Sequence, residues 1–367
     1  MNKIIFHHPL PISSNPKYSS GIRPPLMLRA FQNIGYQVDV VSGYALKRKK
    51  SIKSILNNIN NNKYDFCYSE SSTMPTLLTE INHLPLYPLL DFNFFKLLKL
   101  KNIPIGLFYR DIHWQFKELN NKLSFWKRII RLPFYHYDLL KYSKYVSVLF
   151  LPSLKMADHI PKKYKFIKII DLPPGCNLYN LNNFYLIDNN KYYLNLLYVG
   201  GVSPPTYNLT PLFNVVKNYN KLKLTVICRE LEWRKIKDFY KIEDCLNIHI
   251  RHLEGDDLSD YYLKADIFPI ILKNYEYHNF AMPLKLFEAL SYAIPIITFN
   301  GTVLSDFVAN NKIGWVVNNE SELSFLLNNI IKDRSQILQL KNHIKKIRHN
   351  HTWECRAQKV ANIMNNL

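Results

Sequence analysis

A lysine and a glutamate, Lys285 and Glu288, stand three residues apart at the start of a predicted helix. The segment NFAMPLKLFEALSYAIPII, residues 279–297, places Pro283 in the first turn of that helix, where proline is well tolerated. Residues three apart share one helix face. A helix N-terminus attracts phosphate, a lysine there adds positive charge, and a carboxylate can accept hydrogen bonds from ribose hydroxyls. The pair therefore predicts a nucleotide site, with a surface ion pair as the alternative.

These residues need a scaffold, and the chain alternates short apolar strands with helix-like stretches. The predicted strands cover 3–7, 37–42, 64–69, 103–109, 145–152, 166–172, 194–199, 222–228, 248–252, 267–272 and 295–299. The predicted helices include 23–34, 50–60, 209–219, 257–265 and 283–293. Such alternation predicts parallel βαβ units. We expect an α/β protein with two Rossmann-like domains facing a cleft, with ligands at the carboxyl ends of the strands.

The predicted domains differ in charge. They are a first domain at 1–172, a linker at 173–193, a second domain at 194–345 and a C-terminal helix at 346–367 that packs back on the first domain. Residues 1–170 carry 26 basic and 9 acidic side chains, net +17, whereas residues 171–367 carry 22 and 19, net +3. Such a field attracts nucleic acid, an anionic membrane or a nucleotide.

The composition excludes several classes of protein. Apolar residues make up 47% and charged residues 21% of the chain, which excludes disorder as the main state. Five cysteines without a CxxC pair favour a reducing cytosol over a disulfide framework. The first apolar run is too short for a secretory signal, and no uncharged apolar run reaches the roughly 18 residues of a spanning helix. We expect a protein that is cytoplasmic or lies on a membrane surface.

The segment at 279–297 resembles the donor-binding signature of GT-B glycosyltransferases, especially the family-4-like enzymes of bacterial surface polysaccharide synthesis. Gly200 and Gly201, in the sequence YVGG, resemble the glycine turn that opens their second domain. The stretch LSDYYLKADIFP at 258–269 resembles their helix–strand unit before the signature. Gly21, in SSG ahead of Arg23, resembles the first-domain loop that faces the donor phosphates. The resemblance spans most of the chain and implies a donor-binding role for Gly21, Gly200, Gly201, Lys285 and Glu288.

Phe280 and the stretch at 202–205 depart from that family pattern. Phe280 stands where many of these enzymes carry the first of two glutamates eight positions apart, the second of which matches Glu288. The arginine and lysine that usually follow the glycine turn are replaced by VSPP, residues 202–205. We expect Arg229, at the end of its own strand, to supply the missing cation beside Lys285. Whether the reaction inverts or retains the anomeric configuration stays open.

The acceptor side is expected in the first domain. In an inverting transfer a carboxylate removes the proton of the acceptor hydroxyl, and Asp111, which follows a predicted central strand, is the candidate. A helix cap or an ion pair with Arg110 is the alternative role for Asp111. The expected acceptor-binding residues are Arg23, Glu70, Ser71 and Arg110. For Glu70 and Ser71, which follow another strand, capping of the next helix is the alternative.

Basic segments of the first half are candidates for contact with an anionic membrane. In KLSFWKRIIRLP, residues 122–133, Trp126 and its apolar neighbours fall on one helical arc and most basic residues on the opposite one, as in interfacial helices. FNFFKLLKLK at 92–101 repeats the combination, and Lys47–Lys50 is a run of charge. A core-facing helix and a solvated loop are the respective alternatives for 122–133 and Lys47–Lys50.

Together these features predict a metal-independent glycosyltransferase. It would move a sugar from a nucleotide diphosphate-sugar to a glycan or lipid-linked acceptor, in capsule, lipopolysaccharide or exopolysaccharide synthesis at the inner face of the cytoplasmic membrane. No DxD triplet occurs, and we expect neither a metal nor a bound cofactor, because helix dipoles and basic side chains can stabilise the departing diphosphate. The expected partners are donor, acceptor and anionic membrane, without nucleic acid. The alternatives are a nucleotide-sugar 2-epimerase of the same architecture and a basic nucleic-acid-binding protein.

Overall fold

The chain forms two compact units. The structure, a computed structural model, describes residues 2–13, 19–116, 125–181, 192–272 and 275–367; at 19–20, 125–128 and 256 it describes the main chain only. The first unit comprises Met1–Gly175 and Trp353–Leu367, and the second comprises Cys176–Thr352. The chain re-enters the first unit later than the predicted 346, because the helix that spans position 346 buries Ile344 in the core of the second unit.

Strands and helices alternate along both units. The strands are β1(Lys3–His8), β2(Gln37–Ser42), β3(Phe66–Glu70), β4(Ile105–Phe108), β5(Val148–Leu151), β6(Ile169–Asp171), β7(Leu194–Val199), β8(Leu222–Ile227), β9(Ile248–Arg251), β10(Phe268–Ile270), β11(Ile296–Phe299) and β12(Gly314–Val317). The helices are α1(Ser19–Asn33), α2(Ala45–Asn58), α3(Leu90–Leu100), α4(Phe125–Tyr145), α5(Thr210–Val216), α6(Glu230–Trp233), α7(Lys237–Tyr240), α8(Ser259–Lys264), α9(Leu284–Ser291), α10(Val303–Asn311), α11(Glu320–Lys332), α12(Ser335–Ile347) and α13(Trp353–Met364). No helix of the described part of the chain is long and apolar enough to cross a membrane.

The sheet of the first unit has six parallel strands in the order β2-β1-β3-β4-β5-β6. In β1, Ile4, Ile5 and Phe6 are fully buried, as expected for a parallel strand that is covered on both faces. Helix α13 packs against α1 and β4, and Gly106 of β4 leaves the space that Met364 and Phe150 fill. The C-terminal helix is thus part of the core of the first unit.

The second unit contains two parallel three-stranded sheets, β7-β8-β9 and β10-β11-β12. A parallel bridge between Leu196 and Ile267, next to a 3.0 Å hydrogen bond from the N–H of Leu197 to the carbonyl of Ile267, joins β7 to the beginning of β10. The resulting order is β9-β8-β7-β10-β11-β12, which is the Rossmann order, with its reversal between β7 and β10. The predicted α/β fold with two Rossmann-like domains is confirmed.

Strand β7 shows how the sequence builds this layered core. Alternate side chains of a strand point to opposite faces of the sheet. Leu194, Leu196 and Tyr198 belong to one apolar cluster, while Leu197 and Val199 belong to the other. Both faces are therefore covered, which explains why the strand reads as an unbroken apolar run.

Two predicted loops are helical instead. Gly21 lies in the first turn of α1, which begins four residues before the predicted helix. The run Lys47–Lys50 lies in α2, because alanine, leucine, lysine and arginine are all good helix formers. Within that run Arg48 is buried, and its guanidinium binds Asp91 at 2.8 and 3.0 Å. The charge of this residue is thus neutralised inside the unit.

Candidate functional site

The carboxyl ends of the strands in the second unit carry all of the donor-binding residues predicted there. Gly200 and Gly201 follow β7, Arg229 follows β8, and the segment that leads into α9 follows β10. Since β7 and β10 are neighbours at the reversal of strand order, their loops flank the position where open α/β sheets bind ligands. Lys285 and Glu288 lie on α9.

The glycine turn after β7 is closely packed. A Cβ atom at Gly201 would lie 2.6 Å from the ring of Tyr207, so this position has no room for a side chain. The hydroxyl of Tyr198 donates to the carbonyl of Gly201 at 2.7 Å. Glu232 accepts the N–H groups of Val202 and Ser203, both at 3.1 Å. The turn is therefore held in one conformation by three side chains.

Arg229 is tied to the same turn through Glu232. Its Nη2 lies 3.1 Å from Oε2 of Glu232, while most of its side chain is exposed. Burial alone would raise the pKa of Glu232, but hydrogen bonds from Ser203 and Val202 and the charge of Arg229 outweigh it and lower this pKa. Glu232 thus stays ionised and holds Arg229 beside the glycine turn, where its guanidinium is available to an anion.

Lys285 and Glu288 form a three-membered group with Tyr262 of α8. Oε2 of Glu288 accepts from Nζ of Lys285 at 2.6 Å and from the hydroxyl of Tyr262 at 2.7 Å. Burial raises the pKa of Tyr262, and the carboxylate of Glu288 raises it further, so the phenol remains a donor. Both partners of the ion pair are partly exposed, at 28% and 29%. Among the described residues Oε1 of Glu288 has no partner, so it can accept a hydrogen bond from a ligand.

Tyr262 belongs to an aromatic stack that supports this group. Its ring stacks on Tyr292 at 4.8 Å, and Tyr292 packs on Tyr179 at 4.7 Å. Phe280, at the position where the two-glutamate signature has its first carboxylate, is buried and contacts Tyr277 at 5.1 Å. The site therefore contains one of the two signature carboxylates, and the other is replaced by an apolar contact.

In the first unit, Glu70 is fully buried at the end of β3 and holds three donors. Oε1 accepts from Nε of Arg23 at 3.1 Å and from the hydroxyl of Tyr68 at 2.9 Å. Oε2 accepts from Nη2 of Arg110 at 3.2 Å, and the buried hydroxyl of Ser71 accepts the N–H of Arg110 at 3.0 Å. Glu70 and Ser71 thus position Arg110. All three of Arg23, Glu70 and Ser71 are buried, although Nη2 of Arg23 has no hydrogen-bond partner among the described residues, and their expected contact with an acceptor stays a prediction. Arg110 is partly exposed and can contact a ligand.

Asp111 follows β4 next to Arg110. Its Oδ1 accepts the N–H of His113 at 3.0 Å, which caps the 3-10 turn His113–Gln115, and its Oδ2 lies 3.4 Å from Nδ1 of His113. The carboxylate is partly exposed. The capping role and an accessible carboxylate thus occur together, and the imidazole of His113 is oriented by the same group.

The first unit contains a further carboxylate, which is buried. Asp138 of α4 is buried, and its Oδ2 accepts the N–H of Thr76 at 2.7 Å. Burial, the largest cause, raises the pKa of Asp138 to about 7. Tyr135, one turn earlier, stacks on Trp114 at 5.1 Å and donates to the carbonyl of Thr73 at 2.9 Å. Helix α4 thereby contacts the loop after β3, at Thr73 and Thr76, and the turn after Asp111, at Trp114.

Comparison with known proteins identifies the region that holds the donor residues. Residues 194–333 match the family model described as Glycosyl transferases group 1. The match covers 140 of the 367 residues of the chain. Gly200, Gly201, Arg229, Lys285 and Glu288 all lie inside it.

Solved structures of glycosyltransferases share the fold over the whole chain. Sucrose-phosphate synthase from Thermosynechococcus elongatus is 12% identical, with a TM-score of 0.66 over 100% of this chain and 99% of that one. Anabaena HepE in complex with UDP-glucose is 11% identical, with a TM-score of 0.62 over 100% of both chains. WaaG, a glycosyltransferase involved in lipopolysaccharide biosynthesis, is 13% identical, with a TM-score of 0.56 over 98% and 99%. No curated protein matches the chain in sequence. The chain has the GT-B fold.

The sequence analysis missed the residues that hold the candidate site in place. Tyr262, Glu232 and His113 each bind a predicted site residue directly. Glu232 and His113 stand two or three positions from their partners, so local spacing was an available signal. Tyr262 lies in another helix than Glu288, and no sequence pattern connects them. In the described ranges no group of three or more histidine, cysteine, aspartate or glutamate side chains is arranged to hold a metal ion.

Proposed function

We propose that the protein transfers a sugar from a nucleoside diphosphate-sugar to a glycan or lipid-linked glycan in the synthesis of a cell-surface polysaccharide. Capsule, lipopolysaccharide and exopolysaccharide are the products we consider, made at the inner face of the cytoplasmic membrane. The observation that carries the proposal is the Lys285–Glu288–Tyr262 group in a group 1 domain, with one oxygen of Glu288 unoccupied. The UDP-glucose complex of HepE and the role of WaaG in lipopolysaccharide biosynthesis support the choice of substrates.

The second unit binds the donor through charge. Lys285 and Arg229 neutralise the diphosphate. Glu288 accepts a ribose hydroxyl through Oε1, while Lys285 and Tyr262 hold Oε2. Fixed cations of this kind stabilise charge that develops on a departing diphosphate, so transfer needs no metal ion.

The first unit binds the acceptor and supplies the base. In an inverting transfer, Asp111 takes the proton of the acceptor hydroxyl as its oxygen attacks the anomeric carbon. His113 keeps the carboxylate in place through its N–H. Arg110, fixed by Glu70 and Ser71, offers a guanidinium to the acceptor beside the base.

The test is calorimetric binding of UDP, GDP and ADP to the wild type and to the variants Lys285→Ala and Glu288→Ala. Each variant removes a hydrogen bond to a charged group, which contributes about 1.5–3 kcal/mol and so weakens binding roughly 10- to 150-fold. The matched control is Arg234→Ala, which breaks another exposed ion pair of the same domain, to Glu230 at 2.6 Å. The control should leave affinity unchanged.

Unchanged affinity in both Lys285→Ala and Glu288→Ala would contradict the donor assignment. Product analysis separates the alternatives, because a transferase releases nucleoside diphosphate and extends a glycan, whereas a 2-epimerase returns an isomerised donor. Salt-dependent DNA binding without nucleotide binding would instead favour the nucleic-acid-binding alternative.

A further inference from the structure

The loop between β3 and α3 exposes a run of apolar side chains. Each of the nine residues 81–89 is exposed, and Ile81 reaches 77%. Leu84, Leu86 and Leu89 are each more than half exposed. At the start of α2, Leu46 is 69% exposed, and soluble proteins rarely leave so many large apolar groups together in water. We call residues 81–89 with Tyr44, Leu46, Lys47, Lys49, Lys50 and Lys53 the docking surface.

The two parts of the docking surface are joined by specific contacts. Oε1 of Glu80 accepts the N–H of Ala45 at 2.7 Å, at the N-terminus of α2, where the side chain of Tyr44 forms no cap. Nζ of Lys49 lies 4.9 Å from the ring centre of Tyr87. A groove of about 320 Å³ is lined by Tyr44, Leu46, Glu80, Leu86 and Tyr87. The apolar loop and the basic helix therefore form one continuous surface.

The charge of this surface has one sign. Residues 40–64 contain six basic side chains and no acidic one, and residues 81–89 contain no acidic one either. Arg48 is neutralised by buried Asp91, but the four lysines of α2 are exposed. The carboxylate of Glu80 is engaged at the helix N-terminus. Exposed leucines beside lysines match an anionic lipid surface, where hydrocarbon accepts the apolar groups and phosphate attracts the cations.

The docking surface and the candidate base, Asp111, lie at the same end of the six-stranded sheet. Helix α2 follows the carboxyl end of β2, the loop at 81–89 follows that of β3, and Asp111 follows that of β4. In a parallel sheet the carboxyl ends of all strands lie at the same end of the sheet. We propose that the docking surface binds anionic membrane and brings a lipid-linked acceptor to the end of the sheet that carries Asp111. The link to the acceptor rests on the proposed function, whereas the membrane contact does not.

The experiment is co-sedimentation of the full chain with phosphatidylglycerol–phosphatidylcholine vesicles, with phosphatidylcholine vesicles as the neutral comparison. K47E/K49E should reduce binding to anionic vesicles about 30-fold or more, since each basic residue near an anionic leaflet contributes about fivefold. L84D/L86D should still reduce it about tenfold or more at high ionic strength, because salt screens the repulsion of the added carboxylates but not the loss of apolar burial. The matched controls in the second unit are K217E/K221E and L246D, all at exposed positions, with Leu246 92% exposed.

UDP affinity and the melting curve are measured on the same preparations, and K47Q/K49Q replaces K47E/K49E if the latter melts early. Loss of vesicle binding with unchanged UDP affinity supports the proposal. The proposal is overturned if the wild type does not bind anionic vesicles at low salt or binds neutral vesicles equally well. It is also overturned if the control variants lose as much vesicle binding as the variants of the docking surface. Self-association that L84D/L86D abolishes, without vesicle binding, would assign the surface to a second copy of the chain instead. Vesicle binding by a wild type that binds no nucleotide would refute the proposed function alone.

Discussion

Replacing Glu70 with glutamine should destabilise the first unit strongly. The substitution keeps the volume of the side chain but removes its charge. Two guanidinium groups, those of Arg23 and Arg110, then share no anion, although both bind Glu70 in the native state at 3.1 and 3.2 Å. The amide retains one acceptor oxygen, and its NH₂ group faces donors that it cannot accept from.

The magnitude follows from the burial of each partner. Removing one member of a buried ion pair costs about 3–5 kcal/mol, because the remaining charge stays out of water. Arg23 is 2% exposed and cannot reach solvent, whereas Arg110 is partly exposed and recovers some hydration. We therefore take the lower end, about 3 kcal/mol. At about 2–4 °C per kcal/mol for a unit of this size, the Tm of the first unit should fall by about 6–12 °C.

Differential scanning calorimetry measures this change. The control is Glu354→Gln in the same unit, where the carboxylate accepts a hydrogen bond from Asn33 at 2.8 Å on the surface. The double variant R23M/E70Q removes the more deeply buried of the two unpaired charges and should recover part of the lost stability. If Glu70→Gln melts within about 2 °C of the wild type, or no differently from Glu354→Gln, the cluster is not the stabilising ion network described above.

Four further outcomes are expected. Asp111→Asn should lower the rate of an inverting transfer about 10²- to 10⁴-fold with unchanged donor affinity, whereas a product of retained configuration would exclude the role. Transfer should continue in excess EDTA, and loss restored by Mg²⁺ would contradict the assignment of the diphosphate to Arg229 and Lys285. The pKa of Asp138 is raised to about 7 in the folded protein from 3.8, so the folded state binds the proton of this carboxyl more tightly than the unfolded state does. The stabilisation that results is full near pH 4 and is lost as the pH rises through 7. The asparagine of Asp138→Asn is neutral at every pH. Urea titrations at pH 4–8 should therefore show a fall of up to about 4 kcal/mol in the free energy of unfolding of the wild type that is missing in the variant. Gly314→Ala should disrupt the β11–β12 pairing, because the new Cβ would lie 1.9 Å from the carbonyl oxygen of Ile296, and a circular dichroism melt unchanged from wild type would contradict that packing.

The strands could be predicted from the sequence because buried parallel strands are continuous apolar runs with polar ends. The predicted ranges 37–42 and 194–199 coincide with β2 and β7. The first residues of helices were harder to predict, since the lysines of α2 fit a solvated loop as well as a helix face. The pairing of Lys285 with Glu288 on α9 could be predicted because the two residues are three positions apart.

The contacts of several site residues could not be predicted from local sequence patterns, because their partners are distant in the sequence. Glu70 was expected to face an acceptor, but its partners Arg23 and Arg110 are 47 and 40 positions away, and only the folded sheet brings them together. The same is true of Tyr262, which is 26 positions from Glu288. The predicted interfacial arc at 122–133 falls partly outside the described residues; in the described part, Ile129 and Ile130 are exposed. The membrane role of that helix stays a prediction.

The return of α13 to the first unit has a consequence for synthesis of the chain. Residues 353–367 complete a core whose other parts, α1 and β4, are made more than two hundred residues earlier. Until Trp353, Val360 and Met364 emerge from the ribosome, the surface that they cover, including the hollow at Gly106, faces water. The second unit, which is contiguous in sequence, can fold before the first is finished. A stalled or truncated chain that lacks residues 353–367 therefore presents a complete second unit attached to an unfinished first one, a form that chaperones and proteases recognise by its exposed apolar groups.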